Sequence, residues 1–192
     1  LHLAPRSIEV LNQLALTFQE LSLFEEAYAC FSHAIHLSPT STELLNNRGI
    51  LLKTVQDYEK ALVDFNRALA LDPHNSILLM SRGSLFFQMG AYSLSQKDTF
   101  QALTLNPHYS EAWNNLGLSY YRQGYFKKGI DAFKKALEIK PHFTEARFHL
   151  SILLLLLGEY TEGFLLYESR LKNRSNFSME SSSSSLLLYA EQ

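Results

Sequence analysis

Residues 110–143 read SEAWNNLGLSYYRQGYFKKGIDAFKKALEIKPHF. Two helical patterns occupy this stretch. Leu116 and Tyr120 recur at helical spacing in its first half, and Phe133, Ala136 and Leu137 do so in its second. Gly124 falls between them, where a left-handed residue closes a helix. Pro141 stops the second pattern, because a helix interior cannot accept its ring. The stretch therefore predicts two helices of about a dozen residues each, joined by a tight turn.

Working outward, Pro141 is one of five prolines, with Pro5, Pro39, Pro73 and Pro107, each 34 residues from the next. Laid out at that period, residues 8–177 form five units: 8–41, 42–75, 76–109, 110–143 and 144–177. The eighth position is always small: Ala15, Gly49, Gly83, Gly117, Ser151. So is the twentieth: Ala27, Ala61, Ser95, Gly129, Gly163. The seventeenth is always aromatic: Phe24, Tyr58, Tyr92, Phe126, Tyr160. Small residues let helix backbones approach, and aromatics fill the gaps beside them. Gly90, Gly124 and Gly158 mark the inner turn, whereas Ser22 and Gln56 stand there in the first two units, which predicts another solution for those turns. Glu9, Glu43, Glu111 and Glu145 suit the positive end of each first helix; Ile77 is the exception. Unit three departs most, with Thr99 in an aromatic position that neighbouring Phe100 is expected to fill.

Trp113, Leu116-Gly117, Tyr120, Gly129, Phe133, Ala136 and Pro141 give the fourth unit its closest likeness: it resembles the tetratricopeptide repeat, with Gly129 in place of the usual alanine. The resemblance covers residues 8–177. It implies an all-α, right-handed superhelical solenoid of tandem 34-residue helix-turn-helix repeats, serving as a non-catalytic protein- or peptide-binding scaffold.

Composition removes several other functions. The 192 residues carry a net charge of -2, which argues against nucleic acid as a partner. One cysteine, Cys30, excludes an internal disulfide framework and reads as a buried structural thiol. The longest apolar run, Ile152–Leu157, is far short of the ~18 residues that cross a bilayer, so no membrane partner is expected. No signal-peptide pattern opens the chain, and it is read as cytoplasmic. His74, His108 and His142 sit one repeat apart in equivalent turns, on the order of 10 Å from one another, too far to share a metal. His33, His36 and His149 have no partner at ligand spacing. No catalytic residue, metal or cofactor is expected.

The concave face of such an array is lined by the first helix of each unit. Its candidate lining residues are Asn12, Asn46, Asn47, Lys53, Phe87, Asn114, Asn115, Tyr121 and Arg122, with Gln13, Ser81 and Gln88. Asn46-Asn47 and Asn114-Asn115 repeat two units apart. In the protein O-GlcNAc transferases, asparagines at one such position hold a peptide backbone; Asn47 and Asn115 match it, while Gln13, Ser81 and His149 do not. An amide both donates and accepts, so it suits backbone recognition; it equally suits solvation of the face or bonds between repeats. The lysine of the family's carboxylate clamp is absent beside Asn12, Asn46 and Asn114, which argues against chaperone-tail binding.

The ends carry further expectations. Residues 1–7 match the last turn of a preceding, truncated repeat. Ile152–Leu157 is apolar all round, and Arg170 breaks a column of four alanines, so something other than a standard repeat is expected to cover residues 152–171: a second copy or a C-terminal domain or, failing both, the tail from Ser178 to Gln192 folded back. Residues 178–192 read as a Ser-rich linker and the start of a following domain. Gly158 to Arg170 together with Leu186 to Gln192 resemble the junction of bacterial tetratricopeptide proteins that carry a glycosyltransferase domain, although Ser169 departs from the pattern. That resemblance implies the alternative: a non-catalytic substrate-recognition arm of an enzyme continuing beyond Gln192.

Overall fold

Each sequence unit becomes a helix pair. The computed structural model describes residues 7–168. Its helices are α1 (Ile8–Glu20), α2 (Phe24–Leu37), α3 (Thr42–Thr54), α4 (Tyr58–Leu71), α5 (Ser76–Gln88), α6 (Tyr92–Leu105), α7 (Ser110–Arg122), α8 (Phe126–Ile139) and α9 (Thr144–Leu156). A further helix, α10, covers residues 160–168. No strand occurs among the described residues. The architecture is an all-α solenoid of tandem helix-turn-helix repeats, and the described residues gather in two compact units divided between Pro107 and His108.

All five inner turns close alike. The amides of Leu23, Asp57, Ala91, Tyr125 and Glu159 donate to the carbonyls of Phe18, Leu52, Phe86, Tyr120 and Leu154 at 2.8–2.9 Å. The residue before each donor is left-handed: Ser22 (φ 60°), Gln56 (φ 63°), Gly90 (φ 76°), Gly124 (φ 79°) and Gly158 (φ 85°). The first two turns therefore need no other solution; they adopt the glycine conformation without glycine. That costs about 1–2 kcal/mol each, which packing on either side sustains.

In the first compact unit, α1 pairs with α2, α3 with α4 and α5 with α6, while α2 packs on α3 and α4 on α5. Phe31 and Phe65 are fully buried, and Phe65 fills a cluster with Leu52, Ala61 and Leu85. A Cβ on Gly49 would stand 2.7 Å from the Phe65 ring, which is why that position is glycine. The third repeat solves the contact differently. Thr99 is fully buried and its hydroxyl donates to the Ser95 carbonyl at 2.8 Å, whereas Phe100 is 46% exposed. Phe100 does not fill the aromatic position, because it faces away from the helix pair.

A polar ladder holds the same compact unit. Arg48 makes a two-bonded ion pair with Asp64 at 2.7 and 2.8 Å and donates to Ser32 Oγ at 3.0 Å. One repeat later, Arg82 pairs with Asp98 at 2.7 and 2.9 Å and donates to Asn66 Oδ1 at 2.8 Å. Each arginine thus ties its own helix pair to the preceding second helix. The equivalent pairs elsewhere are apolar: Leu14 with Cys30, Leu116 with Ala132, Leu150 with Leu166. Cys30 itself is half-buried rather than buried, and desolvation pushes its thiol up.

In the second compact unit α7 pairs with α8, and α8 packs on α9. Phe133, Leu150, Leu153 and Leu154 form its core, with Leu166 of α10 against it. A Cβ on Gly117 would lie 2.6 Å from the Phe133 ring, and one on Gly129 3.0 Å from Leu153, which accounts for glycine replacing the family's alanine there. The leucine run divides: Leu153 and Leu154 are buried, Leu155 meets Gly163 of α10, and Leu156 and Leu157 are exposed. Leu155 is therefore not part of the uncovered face. Arg170, and the expectations for residues 1–6 and 178–192, lie outside the described residues.

Candidate functional site: the inner faces of the repeats

First helices line one face in each compact unit. In the first, α3 touches α5, and side chains bridge α1 to α3. In the second, α7 touches α9. This face carries the sequence-predicted residues, but it treats them unequally.

Asparagines at the fifth repeat position are buried: Asn12 and Asn46 are 9% exposed and Asn114 6%. Two of them bond to the next repeat. Asn12 Oδ1 accepts from Asn47 Nδ2 at 3.1 Å, and Asn12 Nδ2 donates to Glu43 Oε1 at 2.9 Å. Asn114 Oδ1 accepts from His149 Nδ1 at 3.0 Å. Asn46 stands opposite the shorter Ser81 in the pattern, and its buried Oδ1 has no partner among the described residues. Asn12 and Asn114 thus join neighbouring repeats, whereas the Asn46 carbonyl does not.

The sixth and twelfth positions differ. Asn47 and Asn115 are half-buried, and Asn115 makes no side-chain hydrogen bond among the described residues. Lys53 is half-buried; its ammonium donates to Ser84 Oγ at 3.0 Å and has no carboxylate partner among the described residues. Burial draws its pKa below the ordinary lysine value. Phe87 and Tyr121 are half-buried, each propped by an aromatic of its own repeat, Tyr92 at 5.5 Å and Phe126 at 6.1 Å. Gln13, Gln88 and Arg122 are not buried, and Ser81 is half-buried.

His149, which the sequence reading set aside both as a ligand and as a groove amide, joins Phe148, Ile152 and Tyr121 on the inner face of α7 and α9, none of the first three having been counted among the lining residues. Burial holds the His149 imidazole below its ordinary pKa, more than nearby Glu145 offsets. The Arg–Asp ladder was missed as well, although Arg at the seventh position and Asp at the twenty-third change together from repeat to repeat. Among the described residues no three His, Cys, Asp or Glu side chains gather as metal ligands. Among those residues no helix is long and apolar enough to cross a membrane.

Comparison with known proteins agrees with this geometry. The tetratricopeptide repeat family matches residues 8–41, 42–75 and 110–143, together more than half of the chain. A thermophilic tetratricopeptide protein from Thermus thermophilus superposes with a TM-score of 0.78 at 20% identity, over 95% of this chain and 100% of that one. PilF of Pseudomonas aeruginosa does so with a TM-score of 0.79 at 21% identity, over 86% and 75%. YrrB, described as having an unusual peptide-binding site, gives a TM-score of 0.62 at 15% identity, over 94% and 93%. At these identities the likeness is one of fold. The comparison with curated proteins returns no match. With three repeats matched by family and every described repeat built alike, the chain belongs to the tetratricopeptide repeat family.

Proposed function

We propose that the chain is a non-catalytic scaffold that binds a peptide or protein segment along the inner faces of its repeats. The observation that carries this reading is the contrast between neighbouring positions. Fifth-position amides are buried between repeats, while Asn115 and the Lys53 ammonium keep bonding capacity that the described residues do not use. A half-buried cation or amide gains from a partner that supplies the missing bonds. Phe87 and Tyr121 add rigid apolar surface beside them. The family's scaffold character and the peptide-binding site described for YrrB support the same reading. Neither nucleic acid nor membrane is a partner in this proposal, no cofactor is used, and the compartment is the cytoplasm.

Asn115→Ala tests it. Binding of a peptide selected on the full chain should weaken while the circular-dichroism melt stays unchanged. Asn47→Ala should move both, because Asn47 also donates to Asn12. Unchanged binding in both variants refutes the reading.

A second contact has its own support. Leu156, Leu157, Tyr160, Phe164 and Leu165 are exposed at the last repeat, an apolar surface suited to a second copy or a C-terminal domain through residues 152–171. Leu156→Glu, with Leu155 left in place under α10, should abolish self-association seen by sedimentation. The glycosyltransferase-arm alternative rests on the two sequence patches alone. Coding sequence past Gln192 decides it: a glycine-rich turn followed by alternating strands and helices supports it, and a stop codon removes it.

A further inference from the structure

On the inner face of the second compact unit, a cavity of about 270 Å³ is lined by Tyr121, Phe133, Phe148, His149, Ile152 and Leu153. Sites for drug-sized ligands run to about 300–1,000 Å³, so this one suits side chains rather than a cofactor. Its walls are rings and hydrocarbon. His149 gives its Nδ1 hydrogen to Asn114 and lies 5.5 Å from the Phe133 ring. That leaves His149 Nε2 as an acceptor with no partner among the described residues. A matching occupant is uncharged, apolar and carries one hydroxyl or N–H donor.

The chain itself carries such a segment within reach. The Tyr167 ring lies 6.2 Å from Phe148, so α10 brings the chain alongside the cavity one residue before Glu168. Beyond Glu168 come 17 residues that end in five consecutive serines, and then Leu186-Leu187-Leu188-Tyr189, uncharged and ending in a phenol. A random coil of 17 residues spans roughly 20–25 Å end to end. The 13 residues of α9 extend about 20 Å. We propose that Leu186–Tyr189 is an intramolecular ligand of this cavity, with leucine seated against Phe148, Ile152 and Leu153 and the Tyr189 hydroxyl donating to His149 Nε2. Flexible linkers give effective concentrations on the order of 1 mM, so a contact of millimolar strength fills the cavity about half of the time. The tail then competes with an external peptide for this part of the inner face. The competition rests on the inner-face reading above; the occupancy does not.

The test uses the full chain carrying Cys30→Ser and a nitroxide on Ser185→Cys. Resonances of Phe148, His149 and Ile152 should broaden relative to the same resonances with the nitroxide reduced. Adding Leu187→Asp and Tyr189→Asp should abolish that difference. Broadening that is absent, uniform or unchanged by the aspartates overturns the proposal. Broadening seen only between labelled and unlabelled copies assigns the cavity to a second molecule and also overturns it. A library peptide that shifts these resonances while the tail leaves them alone keeps the inner-face reading and overturns this one.

Discussion

Replacing Asp64 by alanine removes the carboxylate from the two-bonded pair with Arg48 and leaves that guanidinium with Ser32 Oγ and the Tyr28 ring 5.5 Å away. Breaking a buried pair from one side costs about 3–5 kcal/mol. Arg48 keeps 17% of its side-chain exposure, against 4% for Asp64, so water recovers part of the loss. A cost of roughly 2–4 kcal/mol is expected after that discount. Changing Arg48→Leu together with Asp64→Ala reproduces the pairing that Leu116 and Ala132 make naturally in the fourth repeat. Apolar replacement of a buried pair is neutral to stabilising, so the double variant should lie within about 1 kcal/mol of the parent. Arg48→Leu alone strands the more buried Asp64 at a similar cost, so the two single losses together should exceed that of the double variant by at least about 3 kcal/mol. Hydrogen exchange of α3 and α4 amides, read by mass spectrometry, reports local opening in those helices. If the two single losses simply add in the double variant, the ladder does not staple the repeats and the reasoning fails.

Gly49→Ala and Gly117→Ala should each cost about 1–3 kcal/mol by overpacking against Phe65 and Phe133, while Gly83→Ala, facing Thr99 Oγ1 at 3.3 Å, should be nearly neutral; urea midpoints rank them. Gln56→Gly relieves a left-handed strain of about 1–2 kcal/mol against a glycine entropy cost of about 0.5–1 kcal/mol, so its midpoint should rise slightly. His149 has a lowered folded-state pKa, so the unfolded chain binds its proton first, and the second compact unit should lose stability as pH falls below the ordinary value of about 6.5 and stop losing it below the folded pKa. In His149→Gln the acid-side slope of the melting temperature should be shallower; an identical slope would show that this imidazole does not report on folding.

Periodicity carried most of the fold. Proline spacing, the small eighth and twentieth positions and the aromatic seventeenth position mark contacts that each repeat must make, so they stand out on alignment of the chain with itself. Ser22 and Gln56 show the limit of that reading: a turn fixed by packing on both sides holds a left-handed residue whether or not glycine supplies it. Thr99 shows another, since a buried hydroxyl bonded to its own helix replaced an aromatic ring and left Phe100 outside. On the inner face, composition named the amides but not their partners. Asn12 and Asn114 are occupied by residues 35 positions away, Asn47 and His149, a pairing visible only once fifth and sixth positions of successive repeats are set beside each other. The cavity of the second compact unit arises from four apolar residues of α8 and α9 together with Tyr121 and His149, a convergence that no single repeat spells out.

Chemical-shift mapping of the isotope-labelled full chain, titrated with a peptide selected from a random display library, tests inner-face recognition most directly. The account predicts shifts at Asn47, Lys53, Phe87, Asn115 and Tyr121. It predicts little change at the outward-facing Val63 and Phe100, which are exposed. Saturable binding that perturbs Val63, Phe100 or the second helices while leaving those five residues silent would contradict it.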